Sequence, residues 1–190
     1  MNSTPRVGAL IAVMAALALS ACTGTSQPTQ TTTGPSPSPS ASTSTTVAQS
    51  TTSLSPQELE AKAAEAAVVK FWRVVDELSA DPNTSLDKLA TVSRGTSIDT
   101  WAQMLTNRRG KQYRQVGDVV VASVAAKVKG PKSWGVTACI DVSKVNLVDK
   151  DGKSVVAATR PPRVEYLYTV EKGQNPEGYY VIADKQVRTC

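Results

Sequence analysis

Trp134-Gly-Val-Thr-Ala-Cys-Ile-Asp-Val142 places an apolar side chain at every second position: Trp134, Val136, Ala138, Ile140 and Val142. Alternation at period two sends one face of a strand into a core and leaves the other to solvent. The same period returns at Val164, Tyr166, Tyr168 and Val170, and Asn175-Pro-Glu-Gly178 turns the chain into Tyr179–Arg188. Upstream, Val116–Val128 is rich in Val and Ala. These segments predict an antiparallel sheet of about four strands. Asp149-Lys-Asp-Gly-Lys153 reads as a hairpin turn, Val155–Ala158 as the start of a return strand, and Pro161-Pro162 as an edge or bend.

Ahead of the strands the periodicity is helical. Ser55 is placed to cap a helix, with Pro56 at its first position and Glu58 three residues after the cap. Leu59, Ala63, Ala66, Val69, Trp72 and Leu78 form its apolar stripe, widened by Phe71 and Val75, and Asp81-Pro82-Asn83 ends it. A short helix fits Ser85 to Val92, and Gly95 breaks the chain. Ser97 is then expected to cap a third helix, with Ile98, Trp101 and Leu105 on one side and a stop at Gly110. Helices followed by antiparallel strands define an α+β domain over residues 56–190, long enough for a core of its own.

Turn positions suggest a register. Centring one hairpin on Asp151 sets Trp134 opposite Tyr168 and Val136 opposite Tyr166. Centring the next on Asn175 sets Tyr166 opposite Asp184 and Tyr168 opposite Ile182. Even-numbered residues then face the helices, while Cys139, Arg163 and Val187 share a row on the other side. In that row Cys139 and Val187 stand two strands apart, about 10 Å. A disulfide needs Cα atoms within about 7 Å. To bond Cys139, therefore, Cys190 has to curl back, or the Pro161-Pro162 bend has to shift the register.

Composition excludes several chemistries. The 190 residues carry a net charge of +5 and no histidine, which removes His triads, His metal sites and His general bases together. Ser85-Leu-Asp-Lys88 has the Ser-x-x-Lys spacing of penicillin-recognising enzymes, but no Lys-Thr-Gly follows. It reads as a cap beside a solvated lysine. Around Asp149-Lys-Asp-Gly152 a calcium loop would begin at Leu147 and end at Ala158, neither of which offers a carboxylate. The expectation is a protein without catalytic residues, metal or cofactor.

At the other end, Arg6 precedes an apolar run from Val7 to Leu19 that is too short to span a bilayer. Leu19-Ser20-Ala21-Cys22 closes the run, and the combination resembles the lipobox of bacterial lipoproteins. The resemblance implies a signal peptide over 1–21, a lipid anchor on Cys22 and attachment to the outer face of the cytoplasmic membrane. Residues 23–55 hold no charged side chain, and 24 of the 33 are Ser, Thr or Pro. Such a segment buries too little to offset the entropy of ordering it. With Cys22 it makes a disordered tether over 22–55. In an exported domain the remaining pair, Cys139 and Cys190, is expected as a disulfide, the alternative being two free thiols.

The helix-then-sheet order resembles the nuclear-transport-factor-2-like (cystatin-like) cone. Phe71-Trp72, Trp101, Trp134, Tyr166/Tyr168 and Tyr179/Tyr180 carry that resemblance. The same residues, behind a tether and ahead of a terminal Cys, are similar to small lipoproteins of actinobacteria and their phages.

Three functions follow as expectations. The first is a non-enzymatic envelope lipoprotein whose domain is a protein-interaction or accessory module. Its candidate surface is Arg108, Arg109, Lys111 and Arg114, facing an envelope protein or anionic lipid headgroups and not nucleic acid. The bland account of that cluster is cations favoured at a helix C-terminus. The second is a carrier of small apolar ligands in a pocket of Trp134, Tyr166, Tyr168, Tyr180 and Asp184. The third is a cone-fold enzyme with Asp184 as general base. Against it stands the plainer role of a carboxylate paired with a nearby Arg or Lys.

Overall fold

The computed structural model describes residues 53–190. Cys22, the signal segment and the tether as far as residue 52 lie outside the described residues. Among those described, no helix is long and apolar enough to cross a membrane.

The first helix, α1 (Pro56–Ala80), starts as its sequence requires. Ser55 Oγ accepts from the Glu58 amide, and the Glu58 carboxylate accepts from the Ser55 amide at 2.7 Å. The buried stripe runs through Ala64, Val68, Phe71, Trp72, Val75 and Leu78, whereas Leu59 is 55% exposed. The stripe expected through Leu59, Ala63, Ala66 and Val69 is therefore out of phase. Alanine occupies so many positions between 61 and 67 that the first turns carry little phase information. Phe71 and Val75, with the most area to bury, set it instead.

A short 3-10 helix (Leu86–Thr91) leads into α2 (Gly95–Gly110). Residues between them zip onto a strand edge: the Val181 amide donates to Val92 O and the Arg94 amide to Val181 O, both at 3.0 Å. Gly95 has φ +58°, and a Cβ there would lie 2.8 Å from Ile182 Cγ2. Only glycine allows this approach of α2 to the sheet. Ser97 consequently sits inside the first turn of α2 and does not cap it.

Six strands follow: β1 (Arg114–Val116), β2 (Val120–Gly130), β3 (Ser133–Asp141), β4 (Asn146–Val148), β5 (Arg163–Gln174) and β6 (Glu177–Thr189). The main sheet is antiparallel in the order β2-β3-β5-β6, and β1 pairs with β4 in a small second sheet. The continuous strand expected over Val116–Val128 breaks at Gly117, where φ is +80° and a Cβ would fall 2.1 Å from Lys144 O. Val155–Ala158 forms no strand. The Asp149–Lys153 turn instead returns the chain from β4 to a single bridge between Val148 and Ser154, with Asp149 Oδ1 accepting from the amides of Asp151 and Lys153. This is an α+β fold, with helices packed against an antiparallel sheet of four strands.

Register decides what shares a face. Trp134 pairs with Val170 and Val136 with Tyr168, two residues from the expected alignment but on the same side. Between β5 and β6 the ladder shifts at Thr169/Val170 and again at Glu165/Tyr166. An extra residue in one strand reverses which side its later side chains occupy. Asp184 therefore stands opposite Tyr168, where Tyr166 was expected, and Tyr166 faces Gln186. Val181 and Asp184 can both turn toward the helices although they are three residues apart.

Cys139 and Cys190 are bonded, with Cα atoms 6.0 Å apart. Cys139 shares its row with Glu165 and Arg188. Because β5 separates β3 from β6, the residue after Thr189 has to curl back over β5 to reach Cys139. The core beneath holds Phe71 edge-on to Trp101 at 5.4 Å and to Trp72 at 5.8 Å, with Trp134 packed on Tyr179 at 5.2 Å.

Candidate functional site

A cleft of about 340 Å³ opens between α1, α2 and the concave side of the sheet. Trp72 and Val75 line it from α1, and Thr100, Trp101, Met104 and Arg108 from α2. Tyr166, Asp184 and Gln186 form the sheet wall, and Val142, Val145 and Arg160 close it from the long β3–β5 connection. The sequence dictates the α2 wall simply, because residues 101, 104 and 108 recur at helical spacing on one face.

The polar groups of the cleft have settled partners. Asp184 Oδ1 accepts from Ser97 Oγ at 2.6 Å, and Trp101 Nε1 donates to both carboxylate oxygens at 3.2 and 3.1 Å. Trp72 Nε1 donates to Tyr168 Oη at 2.8 Å, just behind the floor. Burial pushes the Tyr168 phenol well above its ordinary range, as it does Tyr166, where the Asp184 charge adds to it. Tyr166 Oη donates to Gln186 Oε1 at 3.2 Å. Arg160 Nη2 donates to the carbonyls of Val142 and Val145.

Arg108 differs from these. It is half-buried, burial lowers its pKa, and among the described residues no hydrogen bond engages its guanidinium. Among the described residues neither Arg108 nor Arg160 forms an ion pair.

The residues singled out from sequence are only partly brought together. Tyr166 and Asp184 line the cleft, and Tyr168 supports its floor. Trp134 is 2% exposed in the core, against Tyr179. Tyr180 lies under the Arg94 guanidinium, 3.8 Å from the ring centroid, and donates to Pro176 O. Neither shares the pocket, because alternation and the bulge send Tyr179 and Tyr180 to opposite sides.

The basic cluster is likewise divided. Arg108 and Lys111 share a groove with Tyr113, while Arg109 and Arg114 lie in another with Asp149. Arg109 Nη2 donates to Leu78 O and Thr84 O, closing the end of α1. Adjacent helical residues point about 100° apart, so Arg108 and Arg109 never shared a face. Ser85 caps the 3-10 helix and Lys88 pairs with Glu77.

Sequence reading missed Asp76 and the position of Arg108 in the cleft wall. Asp76 is 8% exposed, accepting from Gln115 Nε2 at 2.6 Å and the Val119 amide at 3.0 Å. Burial raises its pKa to about 6, against the lowering effect of those two bonds. The available signal was an acid between Val75 and Leu78 on the buried stripe. For Arg108 it was position, one turn beyond Met104 on the face of Trp101.

These helices on an antiparallel sheet form a cone-like, nuclear-transport-factor-2-like fold. No known family and no curated protein matches the chain. Among solved structures, the intermembrane space region of the chloroplast protein ARC6 superposes with a TM-score of 0.51 at 13% identity, over 68% of this chain and 97% of that one. A proposed aromatic ring hydroxylase from Novosphingobium aromaticivorans gives 0.51 at 13% identity, over 71% and 92%. At this identity the similarity is one of fold.

Proposed function

We propose that the protein is a non-enzymatic, lipid-anchored lipoprotein of the bacterial envelope whose domain holds a small ligand in the aromatic cleft. The observation that carries this reading is the 340 Å³ space walled by Trp72, Trp101 and Tyr166 beside the buried core of Phe71, Trp134 and Val136. Ligand sites combine mainly apolar walls with a few placed polar groups, in volumes from about 300 Å³ upward. Asp184 supports a binding role over catalysis, since its oxygens hold Ser97 and Trp101 and so fasten α2 to β6. The Cys22 motif and the uncharged tether support presentation outside the cytoplasmic membrane. Actinobacterial or phage origin belongs to the same proposal.

The test is extraction of full-length protein isolated from membranes, with mass spectrometry of the organic phase. Met104→Trp should fill the cleft, so compounds retained by the wild type should vanish from the variant. Identical extracts from the two would overturn the ligand reading. A second reading, docking to an envelope protein, is favoured by Leu167, which is 45% exposed on the outer sheet face beside Lys127, Lys129 and Lys185. Leu167→Glu should then abolish cross-links to that partner and leave the cleft unchanged.

A further inference from the structure

We infer that the cleft selects an organic acid, whose anionic end meets Arg108 while its apolar body lies over Trp72 and Trp101; this rests on the ligand-binding reading above. Charge in the cleft wall is unbalanced. Two arginines line one small cleft, and the only carboxylate in its wall is already engaged by Ser97 and Trp101. Arg160 is held by two backbone carbonyls. These carry no full charge, so they orient the guanidinium without neutralising it. Among the described residues no carbonyl or carboxylate engages the Arg108 side chain, although it is half-buried among Trp101, Met104 and Tyr166.

A partly desolvated cation without a counter-ion costs free energy that an entering anion recovers. Guanidinium is also the side chain best shaped to take a carboxylate or sulfonate through two parallel N–H bonds. The rest of the wall is apolar or already hydrogen-bonded, as an aromatic or alicyclic body requires. Asp76 lies behind Gln115, whose amide separates it from the cleft. Lys111, in the groove on the outer side of Arg108, adds positive potential at the entrance.

The three tryptophans supply a built-in assay, since Trp72 and Trp101 line the cleft and Trp134 does not. The full chain, with 15N-labelled indoles, is titrated with naphthalene-2-carboxylate and with its neutral isostere naphthalene-2-carboxamide. Both should move the Trp72 and Trp101 Nε1–H signals and leave Trp134 in place. The acid should bind about tenfold or more tightly, the scale of a charge-assisted pair. Arg108→Met should erase that preference, and Arg108→Lys should keep part of it. An unshifted Trp134 signal in each variant verifies the fold, and Arg108→Gln serves if the Met variant fails that check.

Equal binding of acid and amide at Trp72 and Trp101 would overturn this inference and leave the ligand reading standing. Retained acid preference in both Arg108→Met and Arg108→Gln would overturn the role of Arg108. Titrations that move neither cleft indole would remove the ligand reading as well.

Discussion

Trp101 donates its indole Nε1–H to both carboxylate oxygens of Asp184, from α2 to β6, and Ser97 joins it from the same helix. The contact depends on the bulge at Thr169/Val170 and on the close approach at Gly95. Asp184→Ala should therefore destabilise the domain by about 2 kcal/mol, the scale of a hydrogen bond to a charged group. Asp184→Asn should cost less and bind naphthalene-2-carboxylate at least as tightly as the wild type. Urea midpoints and the indole titration check both. Unchanged stability in the Ala variant, or lost binding in the Asn variant, would contradict the pinning role.

The Trp72–Tyr168 bond is buried on both sides. Tyr168→Phe leaves the indole N–H without an acceptor, so the expected cost is about 1–3 kcal/mol. A cost below that range would mean that the indole finds another partner.

Cys139–Cys190 closes a separation of 51 residues. Reduction, or Cys139→Ser with Cys190→Ser, should lower stability by about 4 kcal/mol on the chain-entropy account. Denaturant unfolding with and without reductant measures it, and no change on reduction would contradict it.

Asp76 makes stability depend on pH in an uncommon direction. Its folded pKa, about 6, lies above its ordinary value of 3.8, so the folded state binds the extra proton between these limits. Its contribution to stability should rise as pH falls from about 6 to about 4, and Asp76→Asn should flatten that rise. Asp141 acts oppositely. Hydrogen bonds from Ser143, with Arg163 assisting, hold it down at about 2, so its contribution is lost as pH falls from about 4 to about 2. Urea midpoints from pH 7 to pH 2 should therefore pass through a maximum near pH 4, and loss of the upper arm in Asp76→Asn is the decisive observation.

Cys22→Ala should move the protein from the membrane to the soluble or secreted fraction. The wild type should carry the mass of its acyl chains. Membrane retention of the variant, with no acyl mass on the wild type, would refute the anchor.

Sequence alone determined the helices, the four strands of the main sheet and their order, but not the break at Gly117 or the small β1/β4 sheet. A capping box, two periodicities and the breaks at Asp81-Pro82 and Gly110 are local features, expressed wherever the chain folds. Trp134, Val136, Ala138 and Ile140 could be assigned to the core from alternation alone, and all are buried. The disulfide was legible because the domain holds one pair of cysteines, Cys139 and Cys190. What tertiary structure decided was which residues meet. A two-residue register shift keeps every side chain on its face, and a bulge does not; neither leaves a mark in the periodicity. Those shifts placed Asp184 by Tyr168, carried Tyr180 away to Arg94, and let Cys190 reach across β5. Arg108, Arg109, Lys111 and Arg114 form one run in sequence but lie in two grooves of the folded domain. The turn of the helix sent Arg109 to the carbonyls of α1 and Arg108 into the cleft. Pairing across strands and direction around a helix depend on contacts distant in sequence, and only the folded chain brings those together.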